Sequence, residues 1–162
     1  MKTQKYIFED NTKFGIEVSQ NEVNMLGKKI THFFTRLSMV GANFIEDIIE
    51  PFASSYNFEA QKFMSEIYYN TSAAIGILVN ISSANNMDAL DIKLLRQSLN
   101  SSLASFDNLY KRVLNSLYKT DEETSKKMSI YDKLLREVFK EIENLYREIN
   151  SILNEKAKLL DN

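Results

Sequence analysis

Histidine and cysteine, two side chains that often serve as catalytic bases, nucleophiles and metal ligands, are almost absent from this 162-residue chain, which has one histidine and no cysteine. The single histidine, His32, has no aspartate or glutamate three residues before it, and it therefore cannot complete the Glu-x-x-His motif of di-iron bundles. One histidine and no cysteine also disfavour a zinc hydrolase, a serine triad and a cysteine nucleophile. We predict that His32 lies at the surface or at the boundary of the core.

Phosphate-binding and calcium-binding motifs are missing from the sequence as well. It contains neither G-x-x-x-x-G-K-[ST] nor G-x-G-x-x-G, and no stretch spaces its carboxylates as a calcium loop does. Glu141, Glu143 and Glu148 lie close together, but lysines share the helix face of Glu141 and Glu148, as on a solvated surface. The sequence therefore predicts a non-enzymatic protein with no cofactor and no bound metal.

Basic side chains form two groups that could contact phosphates although the net charge is −2. Glu122 and Glu123 interrupt the first group, and no helix-turn-helix spacing is visible. A nucleic-acid-associated helical subunit is therefore the alternative function and not the leading one. The first group is Lys111, Arg112, Lys119, Lys126 and Lys127, around the turn between the third and fourth predicted helices. The second is Lys28, Lys29 and Arg36, on the first predicted helix.

Long amphipathic helices must position these side chains, because one proline and four glycines leave few points at which a helix would break. The clearest predicted helix is the last one. Its apolar residues recur in steps of four and three, which places them in one row along the helix, and a second row of apolar residues recurs every seven residues beside the first. A stripe this wide suits a bundle of several helices. The two rows are Tyr131, Leu135, Val138, Ile142, Leu145, Ile149 and Ile152, and Phe139, Tyr146, Leu153 and Leu160.

Three further helices are predicted before the last one. A capping box at Ser19 and Glu22 starts the first, and Pro51 is expected to stop it. Each connection is short, which makes consecutive helices antiparallel neighbours. The sequence therefore predicts an all-α fold, an antiparallel up-down-up-down four-helix bundle with long helices. The other predicted bounds are Asn57 to 83–86, Asp88 to Lys119, and Thr120 or Asp121 to Leu160, with a weak stretch at 125–129.

The N-terminal segment has a different pattern. Residues 5–18 hold two short β-branched and aromatic runs around Glu9–Thr12, which predicts a small β-hairpin, with a disordered arm as the alternative. Gly15 would suit a bulge or a close approach of the backbone. Because an isolated hairpin is marginal in water, it must dock on the helices or on a partner. The single domain thus comprises a hairpin or arm, 1–18, and a bundle, 19–162.

Charge is unevenly distributed along the chain. The second and third predicted helices carry few charges, whereas the fourth is rich in both signs. An outer helix of a monomeric bundle normally has a charged face, so the second and third helices are expected to be covered on more than one side. We interpret this as a protein–protein interface on these helices or at the projecting end of the fourth. A surface that is merely polar is the alternative.

Several side chains are candidates for that interface. Tyr68 and Tyr69 are adjacent and cannot both point inward, and exposed tyrosine is a good interface anchor. Gly76 costs about 1 kcal/mol of helix propensity relative to alanine, which predicts a packing reason for it. The fourth helix is longer than the second, so apolar residues at its end need cover from the hairpin or a second subunit. These residues are Leu153, Leu159 and Leu160.

Composition sets the broad class of the protein. Hydrophobic residues make up 44% of the chain and charged residues 26%, as in ordinary globular proteins. The first residues contain no apolar secretory signal, and the apolar run 73–81 is too short to span a bilayer, so we expect a cytoplasmic protein with no membrane span. The predicted function is an adaptor, inhibitor or assembly subunit that binds another protein or a second copy of itself. Its lysine- and asparagine-rich composition would fit a regulator encoded by a phage or mobile element.

Overall fold

Four long helices dominate the computed structural model, which describes residues 15–117 and 122–161, except for the side chains of 153 and 156–161. They are α1 (Gln20–Phe44), α2 (Asn57–Ala84), α3 (Ala89–Ser116) and α4 (Glu122–Asp161). The predicted weak stretch at 125–129 does not interrupt α4, which is helical from Glu122 onward.

The helices pack as consecutive antiparallel neighbours, and α4 closes the bundle against α1. Phe63 near the start of α2 lies against Gly41 near the end of α1. Tyr110 near the end of α3 donates from its hydroxyl to the Met128 carbonyl near the start of α4, at 3.5 Å. The predicted all-α, up-down-up-down four-helix bundle is therefore confirmed.

Capping boxes begin two of the helices. The Ser19 hydroxyl accepts from the Glu22 amide at 3.1 Å, and the Glu22 carboxylate accepts from the Ser19 amide at 3.0 Å, as the sequence predicts. Asp88 and Asp91 form the same reciprocal pair at the start of α3. Each box satisfies two amides that have no partner within the helix, and so fixes where the helix starts.

The end of α1 differs from the prediction that Pro51 stops the helix. After Phe44 the chain makes a π-helical turn, Ile45–Ile49, and then a short helical turn, Glu50–Phe52, before a 3₁₀ turn, Ser54–Tyr56. Pro51 lies in the first turn of its short segment, where proline is tolerated because an amide there lacks a helical partner.

A small sheet joins the N-terminal segment to the connection between α2 and α3. Strand β1 (Ile16–Glu17) pairs antiparallel with β2 (Asn86–Met87), a partner that the sequence does not predict. Most of the predicted hairpin lies outside the described residues. Ile16 is buried, so this segment docks on the bundle. Gly15 lies so close to the Asn86 side chain that a Cβ atom would clash, which is the close approach expected of it.

Aromatic rings fill the core where α1, α3 and α4 meet. The Phe44 ring centroid lies 5.7 Å from that of Phe106, 5.9 Å from Tyr110 and 5.1 Å from Tyr131. Such edge-on and tilted pairs add to the stabilisation that burial alone gives. The Tyr131 hydroxyl donates to the Asp47 carboxylate at 2.7 Å and so ties α4 to the π-helical turn.

We expect alkaline pH to destabilise the bundle partly through Tyr110. Burial, reinforced by the nearby Asp132 carboxylate, raises the pKa of Tyr110 to about 12, whereas an unfolded tyrosine ionises near pH 10. A raised acid pKa means that this contribution to stability is complete below about pH 10 and is lost as the pH rises to about 12.

The measurement is urea unfolding as a function of pH, with tyrosinate absorbance recorded in parallel. Tyr110→Phe cannot ionise, so its free energy of unfolding should fall less steeply over that pH range than that of the unaltered chain. Identical slopes for the two proteins would contradict the assignment.

Candidate functional site

The outer side of α2 has an unusual chemistry for a helix surface. No charged residue occurs between Glu66 and Asp88, and the exposed side chains on this side are aromatic, aliphatic or small and polar. We call this surface the outer α2 face. It consists of Tyr68, Tyr69, Ser72, Ile75, Gly76 and Val79, all of them exposed.

Both tyrosines of the adjacent pair lie on this face. Tyr68 is 77% exposed and Tyr69 is 73% exposed, although the sequence requires only one of them to point outward. Each has an apolar ring with a polar hydroxyl, the combination that makes tyrosine frequent at protein interfaces. Ile75 and Val79 follow within three turns of the helix, and both are also exposed. Apolar surface is therefore continuous along α2.

Gly76 lies in the middle of this face and faces solvent. A Cβ atom built there would meet no atom within 4 Å, so the described part of the chain offers no packing reason for a glycine. The packing reason that the sequence predicts for Gly76 is therefore not found within the described part of a single chain. Glycine weakens a helix by about 1 kcal/mol relative to alanine, so its presence on this exposed face is a cost that the described part of the chain does not offset.

A groove borders the outer α2 face on the side of α1. Ile75, Leu78 and Val79 line it from α2, and Gly27 and Thr31 line it from α1. A Cβ atom at Gly27 would lie 3.9 Å from the Leu78 side chain, an ordinary van der Waals distance, so the glycine leaves the groove open without forcing the helices together. The apolar residues of the outer α2 face therefore continue into a groove whose α1 side also carries Lys28 and His32.

The outer side of α4 provides the contrast. Its exposed residues form ion pairs one helical turn apart, including Arg136 with Asp132 at 2.8 Å and Lys126 with Glu122 at 3.6 Å. Such pairs keep a helix surface solvated and contribute a few tenths of a kcal/mol each. Two helices of the same bundle thus present different surfaces to solvent, ionic on α4 and uncharged on α2.

The groups that could do acid–base chemistry lie mainly between α1 and α4. His32 is exposed, as predicted, with its Nε2 3.7 Å from the Glu141 carboxylate. Arg36 bridges Glu137 at 2.6 Å and Glu141 at 3.2 Å, and Lys29 pairs with Glu148. These contacts join the first helix to the last, so these side chains have a structural role in the bundle.

The basic residues near the last turn also have partners. Lys111 pairs with Asp107 at 2.8 Å, and Arg112 lies 3.8 Å from the Glu59 carboxylate and over the Tyr56 ring. Lys127 lies over the Phe52 ring, and Lys119 is outside the described residues. Local pairing reduces the positive potential that this group could offer to phosphates.

The remaining candidate residues lie near the end of α4. The helix continues through Leu153, Leu159 and Leu160, as predicted, but their side chains are outside the described part of the structure. Their role in binding a partner therefore stays a prediction. The last apolar side chain described on this helix is Ile152, which packs partly buried against the core.

Comparisons with known proteins complete the description of the site. No protein-family model, curated protein or solved structure matches the chain. Across residues 15–117 and 122–161, none of the helices combines the length and apolarity needed to cross a bilayer. Over the same residues, no group of three or more histidine, aspartate or glutamate side chains is placed to hold a metal ion.

Proposed function

We propose that this protein is a non-enzymatic interaction module, an adaptor, inhibitor or assembly subunit, which binds another protein chain through the outer α2 face. The observation that carries the proposal is the exposed, uncharged strip from Tyr68 to Val79 on a helix whose inner side already packs in the core. A cytoplasmic location, where a binding protein without disulfides would be stable, is part of the proposal.

Burial energetics support this assignment. Fully burying a valine or isoleucine side chain is worth about 1.5–3 kcal/mol. Ile75 is 47% exposed and Val79 57% exposed, so covering what remains of both would supply about 1.5–3 kcal/mol together. Tyr68 and Tyr69 add large ring surfaces that lose little conformational freedom on binding. A partner helix lying along α2 would bury all four side chains at once.

The placement of the charged residues also supports a binding role over a catalytic one. Arg36, Glu137 and Glu141 are engaged with one another across the α1–α4 contact. The outer α2 face contains no ionisable group except the two tyrosine phenols, so it lacks a carboxylate, histidine or lysine that could act as a general acid or base.

Photo-crosslinking from the face tests the proposal. A benzophenone amino acid replaces Ser72 on the outer α2 face, and in a matched control it replaces Ser129, which is exposed on the outer side of α4. Irradiation in the cells that produce the protein should give a discrete adduct from position 72 and little from position 129. Equal yields from the two positions, or no adduct from either, would contradict the assignment of the binding surface.

A further inference from the structure

We propose that the chain that covers the outer α2 face is a second copy of this protein, with the two α2 helices antiparallel across a two-fold axis at Ser72. This inference rests on the proposed function, because it names the partner of the same surface. It follows from the spacing, the shape, the lack of charge and the extent of the exposed residues on α2.

The exposed residues of α2 form one row along the outer side of the helix, recurring every three or four residues as residues on one helix face do. The row is symmetric about Ser72, because exposed positions lie four, seven and eleven residues away on either side of it. This seam points away from the protein's own core, whose contacts use other positions such as Phe63, Ile67 and Ala74. The seam positions are Gln61, Ser65, Tyr68, Ser72, Gly76, Val79 and Ser83, all exposed.

The shapes along the seam are self-complementary in the antiparallel direction. With Ser72 at the axis, Tyr68 of each copy lies opposite Gly76 of the other, so the largest side chain meets the smallest. Tyr69 then lies opposite Ile75, and Ser65 lies opposite Val79. A two-fold interface requires such self-complementarity, because the same surface of each copy must provide both the protruding Tyr68 side chain and the space at Gly76 that receives it. It also gives Gly76 the packing reason that the single chain lacks.

A parallel pairing of the same helices would fit poorly. It would place Tyr68 opposite Tyr68 and Gly76 opposite Gly76. Two tyrosine rings would then compete for the same space at one level, and a void would remain between the two glycines. Close-packed interfaces tolerate neither overpacking nor voids without losing stability. The order of residues along α2 therefore selects the antiparallel arrangement.

Charge and area agree with a second copy as the occupant. Two uncharged strips meet without like-charge repulsion, whereas a strongly acidic or basic partner would lose hydration on this face and gain no opposite charge. From Gln61 to Ser83 the seam is about 33 Å long. With a width of about one helix diameter it covers on the order of 330–400 Å² per copy, the size of a weak, reversible dimer and not of an obligate one.

Engineered disulfides test the geometry directly, because the chain contains no cysteine. Ser72→Cys should form a disulfide-linked dimer readily under mild oxidation, whereas Ser129→Cys on the outer side of α4 should not. A mixture of Ser65→Cys and Val79→Cys should cross-link to each other and not to themselves. Cross-linking of each variant only to itself would indicate parallel helices and overturn the arrangement.

Sedimentation equilibrium gives the second readout. The unaltered chain should dimerise, and Gly76→Leu, which fills the notch, should weaken the dimer at least about 30-fold. Leucine favours the helix more than glycine does, so this variant should remain folded with a raised thermal midpoint. Ser129→Leu is the matched control and should dimerise normally. Equal dimerisation of the two leucine variants would overturn the Tyr68–Gly76 contact.

The two proposals can fail separately. If the chain sediments as a monomer and Ser72→Cys forms no disulfide, the second copy is ruled out. In that case a photo-adduct from position 72 with the mass of a different protein would leave the proposed binding surface standing. If position 72 gives neither a disulfide nor an adduct, both proposals fall.

Discussion

Ile142→Asp is expected to remove at least about 4 kcal/mol from the free energy of unfolding, enough to unfold much of the protein at room temperature. Ile142 is 4% exposed and belongs to the apolar row of α4 that faces the other helices. The substitution removes the burial of an isoleucine and puts a carboxylate among the apolar side chains of the core, and both effects lower the free energy of unfolding.

Glu143→Lys is the control for this prediction. Its side chain is exposed on the same helix, and its ion pair with Arg147 at 4.0 Å, one turn away, is weak in water. Urea unfolding followed by circular dichroism should find the Lys variant within about 0.5 kcal/mol of the unaltered chain. A similar loss for both variants would mean that α4 faces the core with other residues.

Phe44→Ala is expected to cost about 3–5 kcal/mol, the range observed when a large aromatic residue is deleted from a core. Phe44 is fully buried, and its ring contacts Phe106, Tyr110 and Tyr131 from two other helices. Three rings would lose a neighbour at once, and the π-helical turn that follows Phe44 would keep the backbone from collapsing freely into the space.

The comparison for this variant is Phe139→Ala. Phe139 lies on α4 and is 42% exposed, so the same chemical change should cost less than about 1 kcal/mol there. The same urea titrations measure both. If Phe139→Ala proved as costly as Phe44→Ala, the aromatic cluster around Phe44 would not be the centre of the core.

The long helices could be predicted from the sequence because periodicity and capping are local signals. Ser19 and Glu22 lie three residues apart and mark the start of α1 without reference to the rest of the chain. The apolar row of α4 likewise specifies its inner side over many turns. Both signals involve residues only a few positions apart in the chain, so they can be recognised without coordinates.

Other features depend on contacts between distant residues and could not be predicted. Two-residue strands such as Ile16–Glu17 are too short to show alternation, so nothing in the sequence pointed to Asn86–Met87 as their partner. The π-helical turn at Ile45–Ile49 has no sequence pattern of its own. Both Ile48 and Ile49 of this turn are buried in the core.

The candidate surface was partly visible in the sequence. The lack of charge after Glu66 and the adjacent Tyr68 and Tyr69 indicated a helix with an unusual outer side. The sequence predicted a packing reason for Gly76 but could not say whether its side of the helix faces the bundle or solvent, because the apolar stripe of α2 is broad. Only the positions of the other helices place Gly76 outside.

Ionic strength should act unequally on this molecule. Among the described residues, ion pairs between helices concentrate where the first helix meets the last, at Arg36 with Glu137 and at Lys29 with Glu148. Dissolved salt screens such attractions over about 8 Å under physiological conditions. Concentrated salt should therefore weaken the contact between α1 and α4 more than the helix contacts made by apolar side chains alone.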